Sequence, residues 1–147
     1  MGALDLNKIE NKVFNIQEGG ELKIIYVGEK NSYWQDVVKF IVKNPNIKYN
    51  ITIKAVLWEN AYFDIEAILR IEYGAKETDT YLRINCLMMS DKAQAKVIPS
   101  LEIMEDAVKS GHGATVSSID SSQLHYLMSR GLSKHQAEAL IVEGFLK

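Results

Sequence analysis

Apolar and polar residues alternate in a succession of short segments along this chain, and no helical pattern separates one segment from the next. Val37–Val42, Tyr49–Trp58, Tyr62–Ile71, Thr78–Met88, Ala95–Ile103 and Ala107–Ile119 all read as strands. The period of two is cleanest over Tyr49–Leu57, where Ile51, Ile53, Ala55 and Leu57 fall on one face. Gly74-Ala75-Lys76 and Ser90-Asp91-Lys92 supply short polar turns. Strands that follow one another without helices between them argue against a βαβ sheet. On pattern alone a sandwich and a solenoid fit equally well. No internal repeat is strong enough to decide between them.

The two ends read differently. Leu6, Ile9, Val13 and Phe14 have loose helical spacing and predict a short N-terminal helix. Glu18-Gly19-Gly20 marks a turn, and Glu21–Val27 reads as a strand. At Ser118 the period changes. Asp120 is placed as an N-cap with Gln123 three residues on, and Leu124, Leu127 and Met128 then share a helical face. Gly131 suits the left-handed position that closes this helix. Ser133 and Gln136 open a second helix, whose apolar stripe is Ala137, Leu140, Ile141 and Phe145. The expected organisation is an N-terminal segment at 1–48 of open role, a strand core at 49–119 and a helical segment at 120–147.

Composition removes several classes of function. With 147 residues, 47% of them hydrophobic, the chain can build one core and has little room for a second. Net charge is −2 and the bases are scattered, so a nucleic-acid surface is not expected. A single cysteine, Cys86, rules out an intrachain disulfide framework. The opening Met1–Lys8 lacks the shape of a signal peptide, and no apolar run approaches the roughly 18 residues that span a bilayer. The cytoplasm is the expected address, without a membrane partner.

Two stretches resemble a known family. Gly111-His112-Gly113-Ala114-Thr115-Val116, Ile119-Asp120 and Gln123–Leu132 are similar to the HGATV…D…LFYLxSRGI signature near the C-terminus of SufB/SufD proteins. Gly74–Asp79, Leu87–Ala95 and Ile98–Ile103 resemble the GAxxTDAYQxNxxLLLSDxAxxxxxPxLEI core of the same family. Order and spacing agree from about Tyr62 to Phe145. The resemblance implies a mostly β fold, a short right-handed parallel β-helix followed by a small two-helix cap. It also implies a scaffold, not an enzyme, that assembles iron–sulfur clusters in the cytosol. The expected partners are a SufC-type ABC ATPase, docked through the C-terminal helices, and a second subunit in a homodimer or heterodimer. The sequence departs from the pattern in being far shorter and in lacking the SufB-branch cysteine, whose position falls at Ile84 with Cys86 two residues away.

The residues that could carry chemistry are few. His112 aligns with a family histidine at the subunit junction, and an imidazole between Gly111 and Gly113 is open to a metal or a partner. Set against this is a structural role, with the glycines serving a tight turn. Cys86 is a soft ligand by type, yet among Ile84, Leu87 and Met88 it also reads as a small buried hydrophobe. One Cys and one His cannot hold a cluster alone; a two-fold dimer doubles them, so a transient iron–sulfur cluster at a subunit interface is the cofactor expectation. For docking, Tyr126, Met128, Arg130, Leu132 and Phe145 mix apolar and charged groups on short helices. The same helices would equally cap the open end of a solenoid.

Other readings are weaker. His125 and His135 read as packing or surface residues. The glycines around His112 lack the third glycine and long helix of a dinucleotide loop, and no Walker-type lysine motif is present. Glu102, Glu105 and Asp106 read as a solvated loop after a strand rather than an acid pair for hydrolysis. The alternative function is a stand-alone dimeric β-solenoid interaction module without cluster assembly.

Overall fold

Strands whose side chains alternate between faces can stack in parallel only if each pass of the chain returns to the same edge, and this chain does so by coiling. The computed structural model describes residues 2–147. Its strands are β1 (Leu4–Asp5), β2 (Val13–Ile16), β3 (Gly20–Gly28), β4 (Tyr33–Val42), β5 (Lys48–Leu57), β6 (Tyr62–Ile71), β7 (Thr78–Met88), β8 (Gln94–Ile103) and β9 (Val108–Ser118). Two helices follow, α1 (Ser121–Ser129) and α2 (Lys134–Leu146). Odd-numbered strands form a five-stranded sheet in the order β1-β3-β5-β7-β9, and even-numbered strands a four-stranded sheet, β2-β4-β6-β8. Every pairing is parallel. The chain therefore alternates between the sheets and winds a solenoid of about four turns. Register decides what pattern alone left open: Tyr33 lies beside Tyr62 and Tyr62 beside Gln94, so equivalent positions meet only after a full coil.

The inner faces stack like on like. Leu22, Ile51 and Leu82 form one interior column, and Ile24, Ile53 and Ile84 the next. Tyr26, Ala55 and Cys86 form a third. Across the interior, Phe63 stacks on Tyr26 at 4.7 Å and tilts against Trp34 at 5.2 Å. Ile51, Ile53, Ala55 and Leu57 are all buried, as their shared face requires.

The N-terminal helix does not form. Leu6–Lys8 make a single 3₁₀ turn, and Val13–Ile16 instead pair with Lys39–Val42 as a strand. Leu6 is fully buried and Phe14 stacks on Phe40 at 5.3 Å. Two core-facing residues separated by a loop mimic helical spacing, and the free edge of β4 captured the second of them. Residues 4–42 thus lie in the same two sheets as the strands that follow.

The helix caps match the sequence. Asp120 accepts from the backbone N–H of Ser122 and Gln123, Gly131 has φ 100°, and Ser133 and Gln136 complete a reciprocal capping box.

Glu105 departs from its expected place in a solvated loop, and Glu102 lies within β8, where it pairs with Arg70 at 3.3 Å. Glu105 is buried at the corner before β9, where its carboxylate accepts the Gly74 N–H at 2.9 Å and the Asp106 N–H at 3.2 Å. Those donors, with the Ala107 N–H and nearby Lys76, hold its pKa below the ordinary 4.5 against the opposing effect of burial. A lowered folded pKa contributes stability above the ordinary value, and that contribution is lost as pH falls through the folded value. Glu105→Gln is therefore expected to lower Tm at pH 7, with the gap to the parent closing as pH falls below the ordinary carboxylate value of 4.5. Thermal melts across pH 3–7 check this; a gap constant with pH would refute the assignment.

Candidate functional site

The last coil is where chemistry-bearing side chains reach solvent. In β9, His112 continues the column of Leu22, Ile51 and Leu82, and Val116 continues the column that ends in Cys86. These positions face the solenoid interior, but β8 is the last strand of the opposite sheet, so among the described residues no strand lies across from them. His112 is exposed for that reason, and Val116 keeps 45% of its surface.

Among the described residues the edge of β9 is also free. The N–H of Ile119 bonds to Met88, so odd-numbered residues of β9 face β7. The backbone N–H and C=O groups of Ser110, His112, Ala114 and Val116 consequently point to the open edge. β8 differs: the N–H groups of Gln94 and Met104 face β6, which turns Pro99 toward the open side. Proline has no N–H to offer there, and an edge strand is where a sheet tolerates it.

The glycines beside His112 make no turn; both lie mid-strand in β9. A Cβ on Gly111 would stand 3.0 Å from the Tyr81 ring, and one on Gly113 would stand 2.9 Å from its hydroxyl. They are small so that Tyr81 can lie flat across the outer face of β9. Arg83 stacks on the same ring at 5.0 Å. His112 projects from the opposite face.

Cys86 and His112 are not brought together within one chain. Cys86 is level with Val116, four residues beyond His112, which separates the two by about 14 Å. Cys86 is fully buried, and burial pushes its thiol up to about 12. Among the described residues no group of three or more His, Cys, Asp or Glu is placed to hold a metal ion.

The helices sit on the outer face of the odd-numbered sheet. Val56 and Leu87 point outward, next to inward-facing Ala55 and Cys86, yet they are 0% and 6% exposed, and α2 is tied to Lys54 and Lys23 on this same face, which sets the helices over it. This two-sided burial is why Ala55-Val56-Leu57 breaks the alternation, a signal that the sequence carried unread. The end of α2 is held by the sheet. Lys54 donates to the carbonyls of Phe145 and Lys147 at 2.7 Å each, and Lys23 donates to Leu146. These carbonyls have no partner within the helix, and ammonium groups suit the negative end of its dipole.

The predicted docking residues fall into two groups. Phe145 is half-buried beneath Lys54, whose ammonium lies 5.6 Å from the ring centroid, and Leu132 is half-buried in the interhelical turn. Tyr126, Met128 and Arg130 face solvent. Leu140 joins them at 48% exposure, so the expected apolar stripe of α2 is split, with Ala137 buried and Leu140 outside. His125 and His135 are both exposed.

Residues 4–145 match the sequence model of the SUF system FeS cluster assembly, SufBD core domain. The chain belongs to the SufBD core family. It is 35% identical over 127 residues to the iron–sulfur cluster assembly protein SufD of Bacillus subtilis, covering 86% of this chain and 29% of that protein. It is 30% identical over 130 residues to an iron–sulfur cluster assembly SufBD family protein of Mycobacterium bovis, covering 88% of this chain and 15% of the relative. A SufBD family protein of Staphylococcus saprophyticus is 29% identical over 130 residues. The chain thus spans under a third of the length of these relatives. The SufBD match includes the β1–β4 region that the motifs alone did not reach. No helix among the described residues is long and apolar enough to cross a membrane.

Proposed function

We propose that this SufBD chain is a cytoplasmic scaffold subunit in iron–sulfur cluster assembly, without catalytic chemistry of its own. It would dock a SufC-type ABC ATPase through α1 and α2. The observation that supports this most is the helix pair itself: its inner side is seated on Val56 and Leu87, while Tyr126 at 61% and Met128 at 40% exposure face outward. Large apolar side chains held rigidly at a surface suit a partner's groove. Arg130 beside them supplies the charged member of the surface.

The second contact of this reading is with a SufB/SufD-like subunit or another copy. The free edge of β9 carries unpaired backbone groups and no proline, a template on which a strand can add. Such pairing would place His112 near the junction, and two copies of it where the partner is a second copy of this chain, with a nascent cluster as the cargo. Cys86 is buried below that level, and His112 is the better placed of the two to meet it. ATP-driven closure of the ATPase pair would move the docked helices and with them the junction.

A specific observation favours the alternative, an interaction module that carries no cluster: the only thiol is buried and protonated over the whole physiological range. Both readings share the docking surfaces, so docking is tested first. Tyr126→Ala with Met128→Ala is expected to abolish co-purification with the SufC-type ATPase of the same organism while leaving Tm within about 1 °C. Undiminished binding would remove the helix pair as the docking surface. Iron that co-purifies with the parent complex and is lost in His112→Ala would separate the scaffold from the bare module.

A further inference from the structure

On the outer face of the odd-numbered sheet, below the end of α2, three cations converge. Lys23 on β3 and Arg83 on β7 lie in one row with Thr52 between them, and Lys54 on β5 lies in the adjacent row with Asn85. Together with Asn50 they line a cleft of about 380 Å³. Glu21 is the only acid along its walls among the described residues. No Asp or Glu carboxylate lies within 4.0 Å of Lys23, Lys54 or Arg83 among those residues. Lys23 donates to the Leu146 carbonyl, which takes a hydrogen bond without cancelling a charge, and Lys54 donates to the backbone oxygens of Phe145 and Lys147. Each ammonium has three N–H donors, so donors remain.

The neutral groups of the cleft are set as donors too. The Thr115 hydroxyl donates to Asn85 Oδ1 at 2.9 Å, which leaves the Asn85 amide N–H groups for the cleft. Arg83 is steadied by the Tyr81 ring, so its guanidinium is oriented before any ligand arrives. Mutual repulsion is visible as well: burial, Lys23 and Arg83 all lower the pKa of Lys54.

We propose that this cleft binds a diphosphate group. Lys23 and Arg83, neither paired with an Asp or Glu side chain, with amide and hydroxyl donors between them match phosphate oxygens in charge and hydrogen bonding. Lys23 and Arg83 spring from strands two positions apart, about 10 Å, a span that suits two linked phosphates better than one. The site is separate from the outward face of the helices and from His112, although it shares Lys54 and Lys23 with the end of α2. The diphosphate could arrive free or as the head of a larger molecule.

Calorimetric titration of the full chain with inorganic pyrophosphate, orthophosphate and ADP, each at constant ionic strength, tests this. Pyrophosphate is expected to bind with Kd below about 1 mM and orthophosphate at least about tenfold more weakly. ADP binding tighter than pyrophosphate assigns the site to a larger ligand, and equal binding assigns it to the diphosphate alone; either supports the proposal. Arg83→Gln, which leaves the contacts to α2 intact, should raise Kd about tenfold with an unchanged melting curve. No heat beyond that of sodium chloride at matched ionic strength, or binding unaffected by Arg83→Gln, overturns it.

Discussion

Replacing Phe63 by alanine is expected to cost about 3–5 kcal/mol and to lower Tm on the order of 10 °C. Phe63 is fully buried in β6, stacked on Tyr26 and tilted against Trp34, so its ring joins the two sheets in mid-solenoid. Truncation would remove both aromatic contacts and leave a cavity that parallel strands, fixed in register on either side, cannot collapse to fill. Tyr33→Ala serves as the comparison. Tyr33 stacks on Tyr62 at 4.8 Å but on the outside, 67% exposed, and its loss should cost less than about 1 kcal/mol. Denaturant unfolding of both variants measures the difference. Equal losses would mean that the interior column is not what holds the coils together.

Val56→Asp is expected to act on the helices rather than on the sheets. Val56 is completely buried on the outer face of β5, beneath the helical segment. An unpaired carboxylate there would cost roughly 3–5 kcal/mol if the helices stayed down. Lifting them into water relieves that cost, because only the C-terminal segment need detach. Hydrogen exchange should show Ser121–Leu146 losing protection while β5–β7 keep theirs, and limited proteolysis should cut after Ser118. Binding of the SufC-type ATPase should fall with it. Cooperative loss of protection in sheets and helices together would show that the two do not separate in this way.

The difference between these two variants follows what could be read from the sequence. The shared face of Ile51, Ile53, Ala55 and Leu57 was legible because a period of two is a local property of the chain. So were Asp120, Gly131 and Ser133, since a cap is made with neighbours two or three residues away. Val56 was not legible as a buried residue, because what covers it comes from a helix far along the chain. Tyr81 and Gly111 were unreadable together for the same reason: their contact spans a full coil. The 6–14 region misled because Leu6 and Phe14 meet the core from either side of a loop, a spacing that resembles a helix. Strand pattern could not separate solenoid from sandwich; register between coils does, and register is a property of pairs. The likeness of the later motifs to SufB/SufD sequences reached the family before the folding pattern could.

The stacking of like on like has a consequence for how a chain of this kind can change in length. Tyr33 is set beside Tyr62, and Thr78 beside Val108, so the interval between equivalent positions is close to constant while the corners absorb small differences. One residue lost inside a strand would turn every later side chain of that strand to the wrong face. A whole coil inserted or removed would leave its neighbours meeting surfaces of the same kind, since each coil touches only the ones above and below. Length in such a molecule is thus counted in turns, and a short and a long member can share every local contact while differing only in how many times those contacts recur.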